Sequence, residues 1–153
     1  MPRTAAMSVP VLSALILAAV HGCGNSPGSE FLTPVYDACF DVNECAESAT
    51  LCEELSVEFA GFDYINSICT LTCAVEGSVS SDCPRAYVGL FGSCYPSSVA
   101  GGINDTLICF DPCFVDGDCQ QGFRCLGATS LCGADLASCP VDENDAICVP
   151  GPE

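Results

Sequence analysis

Ile68-Cys69-Thr70-Leu71-Thr72-Cys73-Ala74-Val75-Glu76-Gly77 is answered forty residues later by Ile108-Cys109-Phe110-Asp111-Pro112-Cys113-Phe114-Val115-Asp116-Gly117. The pattern continues into Asp82-Cys83, Gly92 and Cys94 in the first copy, and into Asp118-Cys119, Gly122 and Cys125 in the second. Glycine at such places permits tight turns, and paired cysteines substitute for an apolar interior in a unit too short to bury one. Each bridge is worth roughly 2–4 kcal/mol. The expected fold is small and disulfide-rich, with two knotted pseudo-repeats of short strands and turns at residues 66–109 and 106–150. Interleaved bridges give the most compact units, so the pairings favoured are Cys69–Cys83 with Cys73–Cys94, and Cys109–Cys119 with Cys113–Cys125. Spacing alone does not determine connectivity.

Upstream, residues 39–65 read as a helical cap. Asn43 can cap a helix over Asp41–Leu55, Glu44 and Glu47 suit its positive first turn, and Cys45, Ala49, Cys52 and Leu55 fall near one face. Val57–Cys73 mixes aromatic and β-branched residues around Gly61 and Asn66, which predicts two short strands. Residues 23–38 begin with Cys23 followed by Gly, Asn, Ser and Pro, and read as a flexible tether reaching on the order of 20 Å.

The chain has 153 residues with 15 Cys, 20 Asp+Glu, 3 Lys+Arg, 1 His and no Trp. So much cysteine belongs to an extracytoplasmic disulfide scaffold, because cytosolic thiols are kept reduced. At the N-terminus, Arg3 precedes the apolar run Val11–Val20, too short to span a bilayer and suited to a signal peptide over residues 1–22. Removing that segment takes Arg3 and His21 with it, leaving Arg85 and Arg124 against 20 acids and a formal charge of −18. No imidazole base, lysine Schiff base or P-loop can be built from such a chain. Nucleic-acid phosphates would be repelled. No two cysteines stand in a Cys-x-x-Cys arrangement, so the usual dithiol redox chemistry has no motif to run on. No cofactor is expected.

Val20-His21-Gly22-Cys23 resembles a bacterial lipobox. The resemblance implies cleavage before Cys23 and acylation of its thiol, which would hold the protein on a membrane without spanning it. Parity agrees, since without Cys23 the remaining set is even: Cys39, Cys45, Cys52, Cys69, Cys73, Cys83, Cys94, Cys109, Cys113, Cys119, Cys125, Cys132, Cys139 and Cys148. Gly24 after the cysteine implies the outer membrane or cell envelope; simple secretion is the alternative. The stretch Cys113–Cys132 is similar to Dickkopf-type N-terminal cysteine-rich modules and to cysteine-rich lipoproteins of myxobacteria. That likeness implies a disulfide-bonded binding or structural module without catalysis.

Asp41-Val42-Asn43-Glu44-Cys45 is similar to the opening of a calcium-binding EGF module, which implies oxygen ligands at Asp41, Asn43 and Glu44 and makes an adhesion module the alternative function. The cysteine spacing that follows is not that of an EGF module, as Cys52 is followed by 16 residues without one. Asp116-Gly117-Asp118 and Asp142-Glu143-Asn144-Asp145 are further acidic loops able to gather a cation weakly. A hydrolase using a carboxylate pair is a second alternative, disfavoured because a short Trp-free chain builds a poor substrate cleft. The leading expectation is a lipid-anchored, acidic envelope module that binds a partner or serves as structure. A cationic or protein partner fits its charge, and Tyr95, Phe110, Phe114 and Phe123 are either its contact residues or packing.

Overall fold

The computed structural model describes residues 34–152 apart from 87, 134 and 135. The signal segment, Cys23 and most of the tether lie outside the described residues.

Three antiparallel hairpins carry the fold. Strand β1 (Leu51–Phe59) pairs with β2 (Phe62–Thr70), β3 (Ser93–Pro96) with β4 (Leu107–Phe110), and β5 (Phe123–Gly127) with β6 (Ala146–Pro150). The one α-helix among the described residues, α1 (Ala128–Cys132), follows β5. The first hairpin turns on Ala60 and Gly61, both at positive φ (53° and 83°), as a two-residue turn matching the right-handed twist of its strands requires.

The seven disulfides show one order of bonding three times. Cys39–Cys52 interleaves with Cys45–Cys69, Cys73–Cys94 with Cys83–Cys109, and Cys113–Cys125 with Cys119–Cys148. In each group of four, the third and fourth cysteines face each other in register across a hairpin: Cys52 and Cys69, Cys94 and Cys109, Cys125 and Cys148. The lead-in segment then docks on the second strand of its own hairpin. The fourth cysteine's N–H donates to the carbonyl two residues before the first cysteine, at 2.9 Å on Asp37, 3.0 Å on Leu71 and 2.9 Å on Asp111. The first cysteine's N–H returns the bond to Ser67, Leu107 and Ala146 at 3.0, 3.1 and 3.0 Å. The residue before the fourth cysteine is isoleucine each time, and Ile68, Ile108 and Ile147 are all buried. The seventh bridge, Cys132–Cys139, closes a loop between β5 and β6.

Several expectations are corrected by this arrangement. Cys69 bonds back to Cys45 rather than forward to Cys83, and Cys109 bonds back to Cys83 rather than forward to Cys119. Both lie on the second strand of a hairpin, so the nearest sulfurs belong to earlier chain. The Ile-Cys-x3-Cys motif therefore straddles a seam between bonded groups, and units at 66–109 and 106–150 cut across it. Cys73–Cys94 and Cys113–Cys125 pair as expected. The helical cap is absent: Val42–Glu44 is one 3-10 turn, and Leu51–Phe59 is extended. In that strand Leu51, Leu55, Val57 and Phe59 fall on one face at period two, and the ties from Cys45 and Cys52 hold the chain in sheet pairing. The last tether residues are also structured, because Tyr36 is buried and its N–H donates to the Cys69 carbonyl at 2.7 Å.

An apolar interior exists as well. Leu55 and Ile68 from the first hairpin, Tyr95, Ile108 and Phe110 from the second, and Phe123, Ile147 and Val149 from the third share one buried cluster. Each hairpin alone is too small to bury a face, and their inner faces close on one another. Gly101 lies at this junction at φ 72°, where a Cβ would stand 1.8 Å from the Ser56 carbonyl oxygen.

Candidate functional site

The turn between the first and second cysteine of each group is built alike. The acid directly before the second cysteine accepts the N–H of the residue directly after the first. Glu44 Oε2 takes Phe40 at 2.9 Å, Asp82 Oδ2 takes Ala74 at 3.1 Å, and Asp118 Oδ2 takes Phe114 at 2.8 Å. A bridge at each end and a charge-assisted hydrogen bond across the middle leave the turn little freedom. These turns point apolar side chains outward: Phe40 is 97 % exposed, Phe114 74 % and Val75 68 %, with Val42 and Val115 exposed beside them. Of the four aromatic candidates, Tyr95, Phe110 and Phe123 are core and only Phe114 faces solvent. Phe40 and Val75 join it from outside that set, Phe40 beside the first cysteine of its group as Phe114 is, and Val75 two positions beyond Cys73.

The acids considered as calcium ligands have structural employment. Asp41 Oδ1 accepts the backbone N–H of Asn43 at 2.8 Å and also its side-chain amide, while Glu44 closes the turn on Phe40. The three side chains thus stand together as the lock of one turn. Asp116 binds the Arg124 guanidinium and the Cys125 N–H, and the Arg124 hydrogen bond chiefly holds its carboxyl below the usual range. The 142–145 loop clamps the second and third hairpins. Asp145 Oδ2 accepts from Ser93 Oγ at 2.9 Å and Tyr95 Oη at 2.8 Å, Asp142 N–H donates to Tyr95 Oη, and Asp142 Oδ2 accepts from Ser78 Oγ. Burial, then the Asp145 hydrogen bond, push the Tyr95 phenol well above its ordinary value. Asn104-Asp105-Thr106 forms a turn with Asp105 at φ 45°.

Sulfur offers no metal centre among the described residues. Cys39, Cys45 and Cys69 gather within 4.8 Å, as do Cys73, Cys83 and Cys109, and Cys113, Cys119 and Cys148, but every one of these sulfurs is in a disulfide. Thiolate ligands require reduction first.

One acid is buried without such employment. Asp111, between β4 and the third group of cysteines, is only 6 % exposed, and its Oδ1 is fully enclosed without a hydrogen-bond partner. Burial first, then the negative charges of Asp37 and Asp118, push its carboxyl up to about 7. Gln120 reaches across to the N-terminal segment, its Oε1 accepting the Ala38 N–H at 2.8 Å and its amide donating to the Tyr36 carbonyl. An open groove of about 470 Å³ is lined by Asp37, Val88, Gly117, Asp118, Cys119 and Gln120. Nothing in the sequence sets Asp111 apart, because its equivalents in the other groups are Asp37 and Leu71, and only packing makes it the buried acid. The chain matches no family model, no curated protein and no solved structure.

Proposed function

We propose that this protein is a lipid-anchored, extracytoplasmic recognition module whose three cysteine-braced turns present apolar side chains to a protein partner. Seven disulfides belong to an oxidising, extracytoplasmic compartment. Among the described residues no helix is long and apolar enough to cross a membrane. The observation that carries the reading is the exposure of Phe40, Val75, Phe114 and Val115 on turns locked by a bridge at both ends and an acid across the middle. Rigid loops with preset side chains lose little entropy on binding, the ordinary logic of small recognition scaffolds.

The reading assigns no catalysis. It places acylation on Cys23, as the lipobox resemblance implies, and leaves the acidic surface to favour a cationic partner over nucleic acid or anionic lipid. Intact-mass analysis of the detergent-extracted native chain tests the anchor: an acyl mass on Cys23 supports it, and a Cys23 thiol free in the mature protein overturns it. Capture of a discrete envelope protein by the wild type, lost on Phe40→Ser with Phe114→Ser, supports the recognition surface. Equal capture by the double variant overturns it.

A further inference from the structure

We propose that the tip of the first hairpin, residues 58–63, docks an arginine-bearing segment of a partner protein. Strands β1 and β2 have nine residues each, against four or five in the other hairpins. Leu55 and Ile68 enter the shared core, but every residue from 58 to 63 is exposed. The register places Phe59 opposite Phe62 on one side of this arm and Glu58 opposite Asp63 on the other. Phe62 keeps 68 % of its surface in water. Like charges directly opposite each other weaken a strand pair, so the Glu58–Asp63 rung gains from a cation placed beside it.

The occupant follows from how this chain seats its own arginines. Arg124 holds its guanidinium 5.3 Å from the centre of the Phe59 ring while pairing with Asp116 at 2.6 Å. Arg85 lies 4.4 Å from the centre of the Phe91 ring and donates to the Gly89 carbonyl. Phe62 with Glu58 and Asp63 offers a ring and carboxylates for the same arrangement. Both arginines of the described residues are engaged elsewhere, the chain has no Lys, and neither tip acid is in an ion pair among the described residues. The cation therefore comes from another molecule, and not from a second copy, whose arginines are committed in the same way. Nucleic acid and anionic lipid carry the wrong sign. Guanidinium suits the tip better than ammonium, because its plane stacks on an aromatic face and its fork matches a carboxylate. A segment crossing the end of the arm lays one arginine on Phe62 and sets the next beside Glu58 and Asp63. The braced turns contribute no residue here, so the two surfaces stand or fall separately.

A short synthetic peptide with two arginines and one tryptophan tests this on the oxidised full-length chain, which has no Trp of its own. Tryptophan anisotropy at low salt is expected to saturate, with the lysine counterpart of the peptide about threefold weaker. Phe62→Ser weakens binding about fivefold, and Glu58→Gln with Asp63→Asn about tenfold. Glu76→Gln with Glu143→Gln removes as much charge from exposed positions elsewhere and stays within about twofold. Phe40→Ser with Phe114→Ser likewise leaves this binding in place, which separates the tip from the braced turns. The tip variants change only exposed side chains and keep the wild-type thermal midpoint. Equal loss in the Glu76 and Glu143 variant reduces the effect to net charge and overturns the proposal. Absence of saturable binding, binding unchanged in both tip variants, equal affinity for the lysine peptide, or self-association of the chain abolished by Phe62→Ser also overturns it.

Discussion

Asp111→Asn makes the protein more stable at alkaline pH and leaves it nearly unchanged in acid. Folding lifts this carboxyl from the ordinary 3.8 to about 7, chiefly by burial. The native state therefore holds the proton more tightly than the unfolded chain. The stability contributed is fully present below about pH 4 and is lost as the pH rises through about 7. At about 1.4 kcal/mol for each pH unit between the two values, the whole loss is at most about 4 kcal/mol, and solvent screening reduces it. Asparagine has the same shape and cannot ionise. Below about pH 4 both side chains are neutral and equally enclosed, so the two proteins unfold alike. Near pH 8 the variant leads by up to about 4 kcal/mol. Burial also raises Asp37, which adds to the wild-type trend with the same sign and is common to both chains. Guanidinium unfolding of the oxidised chain in EDTA, followed by tyrosine fluorescence across this range, measures the difference directly. A variant that tracks the wild type at every pH refutes the argument that Asp111 ionises in an enclosed site.

Tyr95→Phe removes the donor to Asp145 and the acceptor of the Asp142 N–H, and costs about 1–3 kcal/mol in the same unfolding assay. Ile108→Ala opens the core shared by the three hairpins and costs about 2–5 kcal/mol, whereas Phe40→Ser stays within about 0.5 kcal/mol of wild type; paired denaturation curves decide both. Cys132→Ser with Cys139→Ser opens the shortest loop, of sequence separation 7, and costs about 2 kcal/mol, and non-reducing peptide mapping finds the other six bridges in place. Gly101→Ala, with a Cβ aimed 1.8 Å from the Ser56 carbonyl oxygen, lowers the thermal midpoint, because backbone blocks it and its φ disfavours a side chain.

The composition and the cysteine count were enough to place the chain among disulfide-rich scaffolds suited to an oxidising compartment, and a sequence without Lys offers no lysine chemistry. Those properties depend on which side chains are present, whatever their positions in space. Short strands and turns after Gly61 were also legible, because alternation and turn residues act locally. The region around Cys45 and Cys52 was not: a helical period of 45, 49, 52 and 55 overlies a strand period of 51, 55, 57 and 59, and the bridges to Cys39 and Cys69 select the strand. The signal for the first cysteine group was present nonetheless, as Glu44-Cys45 matches Asp82-Cys83 and Asp118-Cys119 once the acid is seen to close the turn.

Pairing and burial belonged to the tertiary structure. A disulfide joins sulfurs whose backbones come within about 4.4–6.8 Å, and it is hairpin register, with the lead-in segment on the second strand, that brings Cys45 to Cys69 and Cys83 to Cys109. The same packing gives equivalent positions different fates. Asp37 and Asp111 both accept the fourth cysteine's N–H through their carbonyls, yet only Asp111 is buried. Residue types set the available chemistry; the meeting of distant segments determines which carboxylate is left without water or a partner.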